Sequence, residues 1–185
     1  MTNSDGSQSY YDADSGELYV SRFFQVGDSW YYADSTGHVV TGSQTINGQR
    51  LYFATDGKQI KGDFVTNSDG SQSYYDADSG ELYVSRFFQV GDSWYYADST
   101  GHVVTGSQTI NGQRLYFATD GKQVKGAFVT NSDGSQSYYD TDSGELYVSR
   151  FFQVGNTWYY ANRAGRVVKL NASTRAELSL KKKIL

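Results

Sequence analysis

Apolar residues in this chain come in short clusters set between polar turn residues. Ser9-Tyr10-Tyr11, Trp30-Tyr31-Tyr32 and Leu51-Tyr52-Phe53 each lie three residues after a glycine (Gly6, Gly27, Gly48), and a further glycine follows each cluster (Gly16, Gly37, Gly57). Aromatic and β-branched runs bounded by pairs such as Asp5-Gly6, Ser15-Gly16, Asn47-Gly48 and Asp56-Gly57 predict β-hairpins. No segment of helix length before the tail carries a 3.6-residue apolar period. The pattern repeats: residues 2–65 recur as 66–129 with two changes, Ile60 to Val124 and Asp63 to Ala127. A third copy starts at Thr130 and drifts at Thr141, Asn156, Thr157, Asn162, Arg163, Ala164, Arg166 and Lys169. It stops matching at Leu170, where the earlier copies have Gly42 and Gly106.

Eight related pieces fit, with clusters at 9–11, 30–32, 51–53, 73–75, 94–96, 115–117, 137–139 and 158–160. A lone two-stranded hairpin is marginally stable, so successive pieces are expected to stack and share a core. The expected fold class is all-β: a solenoid of stacked β-hairpin repeats, about eight of them at ~21 residues each, inside a 64-residue super-repeat. Residues 2–169 form the expected repeat body and residues 170–185 a tail. Thr2 runs directly into patterned sequence, so the chain reads as part of something longer.

Strand alternation divides the side chains into two faces. Pairing apolar with apolar places Leu51, Phe53 and Ile60 inward, and gathers Tyr52, Gln59 and Lys61 on the opposite face. The same logic puts Trp30, Tyr32 and Val40 inward with Tyr31 and Thr41 outward, and Tyr11 and Tyr19 inward with Tyr10 outward. A one-residue register slip inverts these assignments. A phenol beside an amide and an ammonium suits a sugar: the ring stacks on the C–H face and the polar groups bond its hydroxyls. An outward tyrosine is equally a half-buried strand former at a repeat joint, and both readings stand at this stage.

Composition narrows the chemistry. There are no cysteines, which excludes disulfides, thiolate metal sites and a cysteine nucleophile. No apolar run approaches the ~18 residues of a membrane-spanning helix. The net charge of −4 is uneven: residues 163–185 hold seven Lys/Arg and one Glu, which leaves nine basic and nineteen acidic groups in residues 1–162. An acidic body repels polyanions, so nucleic acid is not an expected partner, nor is membrane insertion. All 30 aromatics, 17 Tyr, 10 Phe and 3 Trp, lie in that body.

Asp12-Ala-Asp14-Ser-Gly16 with Glu17, recurring at 76–81 and 140–145, offers paired carboxylates or part of a calcium loop. The remaining calcium-loop positions are missing, and Asp, Ser and Gly are the residues of tight turns. His38 and His102 are the two histidines, and Arg166 replaces them in the third copy. The expectation is no catalytic residue, no metal and no cofactor. In the tail, Thr174 and Glu177 match a capping box and predict a short helix from about Arg175. It is either a cap on the repeats or an extension. Asn171-Ala-Ser173 matches a glycosylation sequon.

The stretch Thr45-Ile46-Asn47-Gly48-Gln49-Arg50-Leu51-Tyr52-Phe53, continuing to Asp56-Gly57-Lys58-Gln59-Ile60-Lys61-Gly62 and repeated at 109–126, resembles the repeat of the glucan-binding domain of bacterial glucansucrases. The Trp30-Tyr31-Tyr32, Gly37, Val40-Thr41-Gly42 pieces resemble the wider cell-wall-binding repeats, which include choline-binding proteins and the receptor-binding arms of clostridial toxins. The resemblance covers residues 2–169. It implies a secreted or cell-wall-associated, non-catalytic module that binds α-glucan such as dextran multivalently, with the catalytic domain elsewhere in the parent protein. Carried over, its pockets are Tyr52, Gln59, Lys61 and Tyr116, Gln123, Lys125. Tyr10, Tyr31, Tyr74, Tyr95, Tyr138 and Tyr159 are further candidates. The third copy stops before a Gln-x-Lys pair. The alternative is a spacer or wall-attachment repeat without glucan affinity. Choline relatives place Trp after the repeat-ending glycine, whereas Gly42, Gly62, Gly106 and Gly126 here precede Ser43, Asp63, Ser107 and Ala127. Open solenoid ends imply homo-association.

Overall fold

The computed structural model describes residues 1–4 and 6–171. The expected tail helix and the Asp5 side of the first turn lie outside the described residues. All fifteen elements among the described residues are strands. The chain divides into two compact units, one of residues 1–87 with 97–103, the other of residues 88–96 with 104 onward.

The first unit contains β1 (Arg22–Val26), β2 (Ser29–Ala33), β3 (Gly42–Ile46), β4 (Gln49–Phe53), β5 (Asp63–Thr66) and β6 (Gln72–Tyr75). The division runs through β7 (Arg86–Val90) and β8 (Ser93–Ala97). The second unit contains β9 (Gly106–Ile110), β10 (Gln113–Phe117), β11 (Phe128–Thr130), β12 (Gln136–Tyr138), β13 (Arg150–Val154), β14 (Thr157–Ala161) and β15 (Val167–Lys169).

The hairpin frame differs from the one read off the spacing. From the second cluster onward each aromatic cluster pairs mainly with the strand before it, across the first glycine: β1 with β2 from Arg22↔Ala33 to Val26↔Ser29, and β3 with β4 from Gly42↔Phe53 to Ile46↔Gln49. The expected partner after the second glycine makes only a bridge, Ala33↔Val39 or Phe53↔Gln59. Two-residue turns explain the preference. Asn47 and Gly48 have φ of 52° and 83°, so both central residues are left-handed, as a turn that follows the twist of its strands requires.

The segment after the second glycine instead joins one piece to the one before it. In the first unit the Val39 N–H donates to Gln8 O (2.7 Å), Gln59 to Trp30 O (2.8 Å), Leu82 to Arg50 O (2.8 Å) and Val103 to Gln72 O (2.7 Å). In the second unit Gln123 donates to Trp94 O (2.7 Å) and Leu146 to Arg114 O (2.8 Å). Each of these bonds satisfies backbone groups that would otherwise leave an unpaired strand edge. Opposite Trp158 the rung is filled differently. β15 runs antiparallel to β14, and the Leu170 N–H donates to Trp158 O at 2.9 Å.

The inward assignment holds for Leu51 and Phe53 of the third piece, while Ile60 is half-buried. Leu51 and Phe53 are 1% and 0% exposed, Ile46 joins them, and Phe23, Tyr32 and Val40 pack against the cluster. In the second unit a core of Tyr138, Phe152 and Ala161 is backed by Phe128, Tyr147, Val154, Tyr159 and Val167. The other face needs correcting. Tyr74, Tyr95 and Tyr138 were expected outward and are buried at 8%, 5% and 7% exposure. Tyr31 and Tyr10 both stack on Phe24 (5.4 and 4.9 Å), Tyr95 on Phe88 (5.4 Å), and Tyr159 and Tyr138 on Phe152 (5.4 and 4.7 Å). The cause is the register: Phe24 sits directly opposite Tyr31 on β1, so the face read as open carries a phenylalanine of the preceding strand. Conversely Trp30, expected inward, is 39% exposed.

Candidate functional site

Tyr52 lies on β4, and Gln59 and Lys61 lie on the segment that follows the Asp56-Gly57 turn. The Gly57 N–H donates to Ala54 O (2.9 Å) to close that turn, and the Ile60 N–H donates to Tyr52 O (2.8 Å), which fixes Gln59 and Lys61 beside β4. Both side chains reach the same neighbouring turn. The Gln59 Nε2 donates to Ser79 O (3.2 Å) and the Lys61 Nζ to Asp78 O (2.7 Å). The Gln59 amide passes directly over Gly80, where a Cβ would collide with its Nε2, and Gly80 has φ +73°. Glycine is required there on both counts.

The second copy repeats this geometry. Gln123 Nε2 donates to Ser143 O (3.0 Å), Lys125 Nζ to Asp142 O (2.8 Å), and Gln123 passes over Gly144. The tyrosines of the two triads are half-buried: Tyr52 rests against Tyr75 and Tyr116 against Tyr139, each at 5.8 Å between ring centroids. The exposed ring beside each lysine is a tryptophan that alternation had placed inward. Lys61 Nζ lies 5.8 Å from the Trp30 centroid, and Lys125 Nζ 5.7 Å from that of Trp94. Trp94 is 38% exposed. The signal that identifies Trp30 is the rung from Gln59 N–H to Trp30 O, which cannot be seen until neighbouring pieces are stacked.

The Asp-x-Asp-Ser-Gly turn under Gln59 and Lys61 is built by its first carboxylate. Asp76 Oδ1 accepts from the N–H of Ser79 (2.7 Å) and of Asp78 (3.0 Å) and from the Ser79 hydroxyl (2.9 Å), while Oδ2 accepts from the Tyr83 hydroxyl (2.7 Å). These bonds to the charged form hold its pKa well below the usual carboxylate range, and the same contact pushes the Tyr83 phenol up to about 12. Asp140 repeats the arrangement, and Asp12 does so with a pKa of about 2. The carboxylates work as turn builders in all three copies. No group of three or more potential metal ligands gathers among the described residues.

Among the described residues, five rings carry a cation of the protein itself. Besides the two lysines, the guanidiniums of Arg22, Arg86 and Arg150 lie 4.4, 4.2 and 4.0 Å from the ring centroids of Tyr19, Tyr83 and Tyr147. Such faces are electrostatically taken for a further cation.

Residues 40–87 and 104–151 match the choline-binding repeat family, and residues 21–38, 85–102 and 149–166 match the cell wall binding repeat. Glucosyltransferase-S of Streptococcus mutans is 49% identical over 172 residues, which is 91% of this chain and 12% of the relative. Glucosyltransferase-I of Streptococcus downei is 44% identical over 72% of the chain and 8% of its own length. The chain thus spans about a tenth of these curated relatives. Among solved structures, choline binding protein F of Streptococcus pneumoniae, crystallised with a peptidoglycan analogue, matches with a TM-score of 0.72. It is 27% identical, with 89% of this chain and 56% of that one covered. CbpJ of the same species matches at 0.75 and 23% identity, over 90% of this chain and 56% of that one, and supports the fold alone. With its hairpins stacked as in those solenoids, and with both Gln-x-Lys segments inside the matched repeats, the chain belongs to the choline-binding and cell wall binding repeat family, in the form carried by streptococcal glucosyltransferases.

Proposed function

We propose that residues 2–169 form a non-catalytic carbohydrate-binding module that takes α-glucan at two repeated sites. One is Tyr52, Gln59 and Lys61, the other Tyr116, Gln123 and Lys125. The observation that carries this reading is the Lys61 ammonium held between an exposed Trp30 face and the Asp78 carbonyl, repeated at Lys125, Trp94 and Asp142. An ammonium has three donors and a carboxamide keeps its oxygen, so each site retains directional groups for sugar hydroxyls beside an aromatic surface. Two weak sites on one chain raise avidity for a repetitive polymer, by about 10²–10⁴ where linkage permits both to engage.

The glucosyltransferase relatives support glucan as the ligand and a secreted or wall-associated setting. Choline is disfavoured by charge at the Trp30, Trp94, Tyr19, Tyr83 and Tyr147 rings, which already face Lys61, Lys125, Arg22, Arg86 and Arg150. Native affinity electrophoresis tests the reading. Mobility is expected to fall in gels containing dextran and to recover with soluble isomalto-oligosaccharide. Unchanged mobility would leave the chain as a spacer or attachment repeat without glucan affinity.

A further inference from the structure

The third copy drifts from the first two at positions that the glucan sites do not use. Ala164 stands where the second copy has Thr100, and Arg166 where it has His102. In the second unit both line a groove of about 240 Å³, together with Arg114. The lining contains two guanidiniums and no carboxylate, on a body whose residues 1–162 hold nineteen acidic groups against nine basic. Ser107, Gln108 and Asn131 add hydroxyl and amide groups, and Tyr139 adds its phenol edge.

The second copy shows what the drift changed. There the Arg50 Nη1 donates to Thr100 O (3.1 Å), and the partner turn carries the Asp98 carboxylate and His102 where the third copy has Asn162 and Arg166. Burial raises the pKa of the Tyr139 phenol, and a hydrogen bond with Ser107 and the charges of Arg114 and Arg166 pull it back, whereas at Tyr75 the arginine that does so is Arg50. Two guanidiniums therefore line one groove with Tyr139 in the third copy. Arg166 also meets Asp133 at 3.2 Å, but that pair is 40% and 56% exposed. Exposed pairs of this kind are weak and yield to a better-placed anion.

We propose that this groove binds an oxyanion-bearing sugar, a monosaccharide unit carrying a carboxylate or a phosphate. Guanidinium forks match both oxyanions, and the amides and hydroxyls around them suit the ring hydroxyls. The volume is below that of sites for drug-sized ligands, which limits the occupant to one such unit. This site is separate from the Gln-x-Lys sites and does not depend on their ligand.

Isothermal titration of the whole chain with glucuronate, glucose 1-phosphate, inorganic phosphate and methyl glucoside tests the proposal. Arg166→His restores the residue of the second copy and is compatible with the fold. One charged sugar is expected to bind per chain, with affinity falling about tenfold or more in Arg166→His, while retention in dextran gels stays unchanged. The combined change Asp98→Asn, Thr100→Ala and His102→Arg is expected to raise the stoichiometry from one to two. Equal affinity of Arg166→His for the charged sugars would overturn the proposal. Inorganic phosphate binding as tightly as glucose 1-phosphate would overturn the saccharide assignment. Loss of dextran retention with charged-sugar binding intact would count against the glucan reading alone.

Discussion

The Lys61 ammonium is shared between two neighbours of opposite character, the face of Trp30 at 5.8 Å and the carbonyl oxygen of Asp78 at 2.7 Å. Trp30 comes from β2 and Asp78 from the turn after β6, so one side chain ties three successive pieces together. If the glucan ligand uses the Trp30 surface, Trp30→Ala combined with Trp94→Ala lowers dextran affinity by about tenfold or more. Affinity electrophoresis reads this, with circular dichroism confirming that the strands persist. Trp158→Phe serves as the control, since its rung is filled by Leu170 in place of a Gln-x-Lys segment. A double variant with unaltered retention would place the ligand elsewhere.

Gly80 and Gly70 separate two reasons for glycine. Both have positive φ, but a Cβ at Gly70 meets nothing within 4 Å, while one at Gly80 collides with Gln59. Gly70→Ala is expected to cost about 1 kcal/mol through backbone strain alone. Gly80→Ala costs more, because Gln59 must leave its bond to Ser79, and it also weakens dextran binding. Urea midpoints for the two variants give the difference directly, and equal midpoints would refute the close approach.

Phe53 is fully buried, and Leu51 and Ile46 surround it. Phe53→Ala removes the centre of that cluster and is expected to cost about 3–5 kcal/mol. Tyr52→Phe, one residue away on the half-buried face, is expected to change stability by less than about 1 kcal/mol. Chemical denaturation of the two variants reads the contrast.

The Asp76 and Tyr83 pair makes stability depend on pH at both ends. The folded carboxylate pKa is depressed, so its contribution is present above the unfolded value of about 4 and is lost as pH falls through the folded value. The folded phenol pKa is raised, so its contribution is present below the unfolded value of about 10 and is lost as pH rises toward about 12. Asp76→Asn flattens both limbs of a plot of urea midpoint against pH and brings the Tyr83 tyrosinate absorbance back toward an ordinary titration. An unchanged acid limb would mean that other carboxylates dominate it.

Much of this was legible in the chain. Asn47-Gly48 marked a two-residue turn, and Leu51 and Phe53 were correctly read as core because aliphatic residues on one face leave little choice. Gln59 and Lys61 were placed together beside Tyr52 by alternation alone. The orientation of Trp30, and the burial of Tyr74, Tyr95 and Tyr138, were not legible. Alternation separates two faces of a strand, yet in a stack both faces are covered. Which tyrosine is exposed depends on Phe24, Phe88 and Phe152 arriving from the preceding strand. Arg166 reads as drift in the sequence, and only the fold places it in one groove with Arg114 and Tyr139.

The rung opposite Trp158 differs from its counterparts by one residue. At Gly42 and Gly106 a left-handed backbone, φ +71° in both, turns the chain out of its ladder and leaves the Trp30 and Trp94 carbonyls for the next piece. At Leu170 the strand continues and bonds Trp158 itself. The residue at this one position thus decides which segment receives the carbonyl: with glycine it is the following piece, and with Leu170 it is the chain's own strand.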